Sequence, residues 1–173
     1  MPVNRRTSPR GAALWGALCA LSLWLSACGF HLRGPVQLPE AMKHTYLQGG
    51  NRYGEFMTDL RQFLTGSGVT LVDSPKQATA ILRILRRGDD RRVLSVGPDG
   101  RPREYELYST VEFDVVGAKG QSMVADQQVD VRRDFYFSEA DVLGKANEEA
   151  LLRREMHRDL ARMLMLRLQA RAR

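Results

Sequence analysis

Two stretches of alternating residues near the middle of the chain most restrict what it can fold into. Tyr105, Leu107, Val111, Phe113 and Val115 fall on one side of an extended strand, and Glu104, Glu106, Thr110, Glu112 and Asp114 on the other. After Gly117 to Gly120, the residues Met123, Ala125, Val129, Val131, Phe135 and Phe137 repeat the apolar side. They are opposed by Asp126, Gln128, Asp130, Arg132 and Asp134. A period of two over this length specifies half-buried strands, and the glycines between them specify a hairpin. A sheet with one apolar face must have that face covered, and helices are the available cover.

The flanking segments supply them. Tyr53, Phe56, Met57, Leu60, Phe63 and Leu64 recur at helical spacing and are stopped by Gly66 and Gly68. Ser138 and Asp141 are spaced as a capping box, and a long helix is expected from there to Gln169. Its apolar arc holds Val142, Leu143, Ala146, Ala150, Leu160, Met163, Leu164 and Leu168. Glu149, Arg153, His157 and Arg167 intrude on that arc, so the middle of the helix either packs imperfectly on its own sheet or meets something else. Met42 to Leu47 reads as a short strand ended by Gly49-Gly50, and Val69 to Val72 as a short extended piece. Ala80 to Arg87 leans to strand, Gly88-Asp89-Asp90 interrupts, and Arg91 to Val96 runs into the turn Gly97-Pro98-Asp99-Gly100. The fold expected is α+β: a two-layer sandwich with an about four-stranded, mostly antiparallel sheet covered on one face by two helices, in the order β-α-β-β-β-α.

The N-terminus reads as a targeting segment. Arg5, Arg6 and Arg10 precede an apolar run of 15 residues, Gly11 to Leu25, which fits a signal peptide and is short for a spanning helix. Leu25-Ser26-Ala27-Cys28 then resembles a lipobox. Small residues at 26 and 27 admit a peptidase, and the Cys28 thiol is nucleophilic enough to take a diacylglycerol. An ordinary secretory signal with an incidental cysteine is the weaker reading, because all four positions match at the end of the apolar run. Several acyl chains on one cysteine, at about 0.8 kcal/mol per buried methylene, make a lasting tether. Gly29 rather than Asp after the cysteine resembles the sorting rule for the outer membrane in enteric-type bacteria. The expected organisation is residues 1–27 signal peptide, 28–41 anchor and leader, 42–169 a single α+β domain, and 170–173 a frayed tail.

Charge and motifs narrow the function. The 146 residues from Cys28 onward hold 23 Lys+Arg and 20 Asp+Glu, net +3. Residues 83–103 carry seven arginines and three aspartates, and residues 153–173 seven arginines and two acids. Two basic segments on a mildly acidic body suggest an anionic partner. Nucleic acid is not expected on the far side of the inner membrane; lipopolysaccharide phosphates, phospholipid headgroups and acidic protein loops are the anions available there. His31, His44 and His157 match no metal-ligand spacing, and His157 reads as a satisfied core histidine. No nucleophile elbow, P-loop or dinucleotide fingerprint occurs, so no catalytic residue, metal or cofactor is expected. Asp89-Asp90 and Glu148-Glu149 read as surface charge.

The opening Cys28-Gly29-Phe30-His31-Leu32-Arg33 resembles that of the lipopolysaccharide-assembly lipoprotein family, LptE. Arg103-Glu104-Tyr105 is similar to the end of that family's central hairpin. Arg133-Asp134-Phe135-Tyr136-Phe137, followed by Leu143-Gly144-Lys145-Ala146-Asn147-Glu148, resembles a further family stretch. The order and spacing fit along nearly all of residues 28–168. The resemblance implies a non-catalytic lipoprotein, two helices on a four-stranded sheet. It implies a place inside the LptD β-barrel of the outer membrane as plug and assembly partner, helping deliver lipopolysaccharide to the surface. It also implies lipopolysaccharide contacts at Lys145 and at a basic residue on the hairpin tip. The matching tip position here is Pro98, so Arg101 and Arg103 are the candidates for that role; a solvated hairpin with arginines serving solubility is the alternative. From another class, the chain reads as a generic outer-membrane lipoprotein scaffold or an envelope hydrolase.

Overall fold

In the computed structural model the described residues are 36–137 and 142–171. The lipobox with Cys28, the signal peptide and the capping pair Ser138 and Asp141 lie outside them. Val36 and Leu38, at the end of the expected leader, pack partly buried on the core, and a 3-10 turn at Glu40–Met42 brings Met42 fully into it. The first strand, β1, is His44–Gln48, two residues later than the apolar pattern suggests. Gly49 and Gly50 follow at φ +84° and +68°, and a Cβ on Gly49 would collide with the Ile84 carbonyl oxygen. Only glycine lets the chain leave β1 so close to its neighbour.

Helix α1, Glu55–Gly66, buries Phe56, Met57, Leu60 and Leu64. Tyr53, expected at the head of that stripe, precedes the helix and is 90% exposed. Ser67 caps the end, its amide donating to the Phe63 carbonyl at 3.0 Å, before Gly68 turns the chain at φ +83°. The short extended piece forms a strand of its own, β2 at Thr70–Val72. It pairs in parallel with β1, so the sheet has five strands and not four.

The other strands are long: β3 at Ala80–Val96, β4 at Pro102–Gly117 and β5 at Ser122–Tyr136. The sheet order is β2-β1-β3-β4-β5, with β1 parallel to both neighbours and β3-β4-β5 antiparallel. Gly88-Asp89-Asp90 does not interrupt β3. Those residues pair with Thr110, Ser109 and Tyr108 of β4, and a continuous partner strand outweighs the low strand propensity of glycine and aspartate.

Register shifts decide which side chains enter the core. Between Ile84 and Arg86 the pairing slips by one residue. Ala80, Leu82 and Ile84 face inward before the slip; after it Arg87, Asp89 and Arg91 pair with the inward Val111, Ser109 and Leu107, and Leu85 is left exposed. A second slip, where Phe113 pairs with Gln127 but Val115 with Val124, sets Val124 in the core. Met123 is only half-buried and Ala125 is exposed, against the alternation expected of them. An extra residue in one strand reverses the facing of everything beyond it.

Helix α2 is Val142–Arg171, so the expected frayed tail is helical at least to Arg171. It buries Met156, Leu160, Ala161, Leu164, Met165 and Leu168. Val142, Leu143, Ala146, Ala150 and Met163, expected on the apolar arc, are exposed. The arc mixed two helix segments with different surroundings: the C-terminal half lies on the core, and the N-terminal half does not. Both helices share one hydrophobic core with the inward side chains of β3, β4 and β5. The opposite sheet face is polar, carrying the ion pairs Arg83–Asp114, Arg86–Glu112 and Arg132–Asp130.

Candidate functional site

The turn between β3 and β4 has the geometry its sequence demands. Gly97 donates to the Arg101 carbonyl at 2.7 Å, Gly100 donates to the Gly97 carbonyl at 2.9 Å, and Gly100 takes φ +73°. Asp99 organises the tip. Its carboxylate accepts from the Arg101 amide at 3.3 Å and from the Arg103 guanidinium at 3.4 Å. Both pairs are solvent-accessible, so this arrangement orients the arginines without neutralising the tip firmly.

Lys145 sits in the first turn of α2. Its ammonium donates to Glu148 at 2.8 Å and lies 5.7 Å from the centre of the Phe135 ring. Phe135 pairs across the sheet with Tyr105, and Arg103 is two residues nearer the tip, where its carbonyl accepts from the Phe137 amide at 2.8 Å. The fold thus brings Lys145, Arg101 and Arg103 to one end of the molecule, although some 40 residues separate them in the chain.

Behind this end runs a polar seam that the sequence did not disclose. Arg91 stacks on Tyr105 at 4.5 Å and donates to Glu149 at 3.1 Å, and Glu149 also accepts from Arg153 at 2.9 and 2.7 Å. Further along, His157 lies between two carboxylates, Nδ1 3.3 Å from Glu55 and Nε2 3.2 Å from Asp89. Asp89 also accepts from Ser109 at 2.6 Å and from Arg87 at 2.7 Å, while Arg87 rests over the Phe56 ring. Partial burial pushes the Asp89 carboxyl up. Hydrogen bonds from His157 and Ser109, with the charges of Arg87 and His157, outweigh that and hold it at about 2. Asp89 and Glu149 are therefore partners in a half-buried network and not surface charge. Glu149, Arg153 and His157 intrude on the buried arc because they face the polar positions that the bulge in β3 turned inward.

Among the described residues no group of three or more His, Cys, Asp or Glu is placed to hold a metal ion, and no helix is long and apolar enough to cross a membrane. What the hairpin end offers chemically is a set of cations beside exposed aliphatic and aromatic side chains.

Residues 42–168 match the family model described as LptE, lipopolysaccharide-assembly. The chain is 30% identical over 157 residues to the LPS-assembly lipoprotein LptE of Pectobacterium atrosepticum, covering 90% of this chain and 84% of that one. It is 31% identical over 153 residues to the protein of the same name from Yersinia enterocolitica, covering 87% and 73%. Among solved structures, it is similar to lipoprotein B of Nitrosomonas europaea, with a TM-score of 0.67 and 27% identity over 83% of this chain and 91% of that one.

Proposed function

The chain belongs to the LptE lipopolysaccharide-assembly family, and from that premise we propose that it is the lipid-anchored, non-catalytic partner of the LptD β-barrel in the outer membrane. Its role is that of a lipopolysaccharide-assembly lipoprotein. The observation that carries this reading is the family match across residues 42–168, which takes in all five strands and both helices as far as Leu168.

In the proposed arrangement Cys28 carries the lipid and holds the domain at the membrane. The domain plugs the barrel and assists its assembly. A barrel lumen is polar, so its plug needs a charged and hydrogen-bonding surface. The uncovered sheet face supports that part: Arg92 and Arg132 lie over Tyr108 at 5.1 and 5.3 Å, among cross-strand ion pairs. Lys145, Arg101 and Arg103 then contact lipopolysaccharide phosphates as it passes. Guanidinium and ammonium groups suit phosphate, and the weak intramolecular partners Asp99 and Glu148 are readily displaced.

The test is affinity purification of the full chain from detergent-solubilised membranes of its own host, joined to depletion. A large β-barrel protein at equal stoichiometry is expected, and depletion should stall lipopolysaccharide before the cell surface. A solitary protein whose depletion leaves surface lipopolysaccharide unchanged rejects the reading, and envelope-degrading activity of the purified chain replaces it with a hydrolase.

A further inference from the structure

From β1 through α1 to β2 the chain makes a parallel β-α-β unit, and the two strands run out side by side, Tyr46 pairing with Val72 at the end of β2. Where parallel strands end, the connecting loops part, and the crevice outside the carboxyl ends is where such sheets hold ligands. A crevice of about 240 Å³ lies there in this fold. Leu47 and Gly49 line it from the end of β1, and Val72 and Asp73 from the end of β2. Arg52 of the β1–α1 connection and Arg61 of α1 line it as well.

The charge of this crevice is positive, with two arginines against the single acid Asp73. Arg61 is half-buried, and its guanidinium is fixed by donating to the Arg52 carbonyl at 2.8 Å. That bond uses one of its N–H donors, and it forms no ion pair among the described residues. Arg52 pairs with Asp73 at 3.5 Å, but both side chains lie largely in water, Asp73 at 97%. A pair so exposed is weak and gives way to a better acceptor. Tyr46 also lines the crevice, and its hydroxyl has no partner among the described residues.

We propose that this crevice is a phosphate-binding site, in which Arg61 and Arg52 hold the oxyanion and the Tyr46 hydroxyl adds a neutral donor. A phosphate presents oxygens in several directions, so guanidiniums from two elements bind it together through charge-assisted hydrogen bonds. A carboxylate presents its oxygens in one plane and satisfies one guanidinium. The crevice is smaller than the sites that enclose whole drug-sized molecules, so it seats the phosphate group and leaves the body attached to it outside. Free phosphate and a phospholipid headgroup share this chemistry. The site is separate from Lys145, Arg101 and Arg103, and its failure leaves the proposed function standing.

The experiment is arginine footprinting with phenylglyoxal, read by mass spectrometry on the full chain in phosphate-free detergent micelles. Arg154 and Arg158, exposed on α2, are the reference. Inorganic phosphate at about ten times its half-protecting concentration should slow labelling of Arg52 and Arg61 about tenfold, and that of Arg154 and Arg158 little. Chloride at the same ionic strength should protect none of them. A second arm places the full chain in phosphatidylglycerol vesicles without free phosphate. Protection of Arg52 and Arg61 there makes the headgroup a source, and protection by inorganic phosphate alone makes the free anion the ligand. Protection in neither arm overturns the proposal, and so does equal slowing at all four arginines, which is general screening. Arg61→Gln should raise the half-protecting phosphate concentration at Arg52 about tenfold. Arg52→Gln, in an exposed connection, should do the same at Arg61 and keeps the test open if the first variant misfolds. An unchanged half-protecting concentration in a folded variant rejects the site.

Discussion

His157 of α2 and Asp89 of β3 meet with Nε2 3.2 Å from Oδ1, and that contact ties the long helix to the middle of the sheet. Asp89 holds its proton only below about 2, against an ordinary value of 3.8. A carboxyl depressed by folding stabilises the native state above its unfolded value, and that stabilisation is lost as pH falls through the window from about 4 to about 2. The Asp89 side chain is 26% exposed, and the shift corresponds to roughly 2 kcal/mol. Asp89→Asn should lower stability at neutral pH by about that amount and flatten the acid limb of the urea midpoint plotted against pH. An acid limb as steep as that of the parent protein counts against this role.

Gly49→Ala tests the close passage between β1 and β3. The added methyl collides with the Ile84 carbonyl oxygen and forces a φ of +84° on a residue with a side chain. Each cost is of the order of 1–2 kcal/mol, so a loss of at least about 2 kcal/mol is expected in denaturant unfolding. Gly120→Ala shares a positive φ but meets nothing within 4 Å, and should cost less.

The bulge in β5 makes a pair of substitutions diagnostic. Val124 is 3% exposed while Ala125 is exposed, the reverse of what uninterrupted alternation from Val129 predicts. Val124→Asp buries a charge without a partner and should prevent folding, whereas Ala125→Asp should change the melting temperature little. If the two effects are exchanged, the strand is registered without the bulge.

Those shifts also explain how far the sequence could be read. The long hairpins, the apolar stripe of Phe56, Met57, Leu60 and Leu64, and the two-layer cover are local periodicities, and local periodicity survives in the fold. Facing beyond a bulge is not local, because it depends on which residue of the neighbouring strand is opposite. That is why Asp89 looked like surface charge, and why β3 looked broken at Gly88. One signal was present: Glu149, Arg153 and His157 recur every four residues on α2, and Arg87, Asp89 and Arg91 every two on β3. Two polar series with matching periods are complementary only if they face each other. The three-residue β2 was legible as an extended piece, but nothing local shows that it pairs with β1. At the candidate site, Lys145, Arg101 and Arg103 came from a resemblance; the exposed aliphatic residues beside them follow no motif and emerge only from the fold.

At the hairpin tip, Arg101→Asp together with Arg103→Asp should weaken lipopolysaccharide binding by the full chain without loss of secondary structure. Both side chains are on the surface, so stability should move by less than about 1 kcal/mol. Lipopolysaccharide binding that is unchanged in the double variant removes these arginines from the site and leaves the solvated hairpin.

Lys145 separates a structural role from a binding one. Its ammonium pairs with Glu148 three residues on and lies near the Phe135 ring, and the side chain is 20% exposed. An i,i+3 pair in a helix contributes a few tenths of a kcal/mol, and a cation over an aromatic ring about 0.5–1 kcal/mol. Lys145→Ala should therefore cost at most about 1 kcal/mol of stability, yet remove a phosphate contact and weaken lipopolysaccharide binding about tenfold. Lys145→Arg keeps the charge and should restore most of that binding. Comparing unfolding midpoints with lipopolysaccharide titrations across the two variants distinguishes the roles: a variant that loses stability and binding in equal measure, with no rescue by arginine, assigns Lys145 to the fold alone.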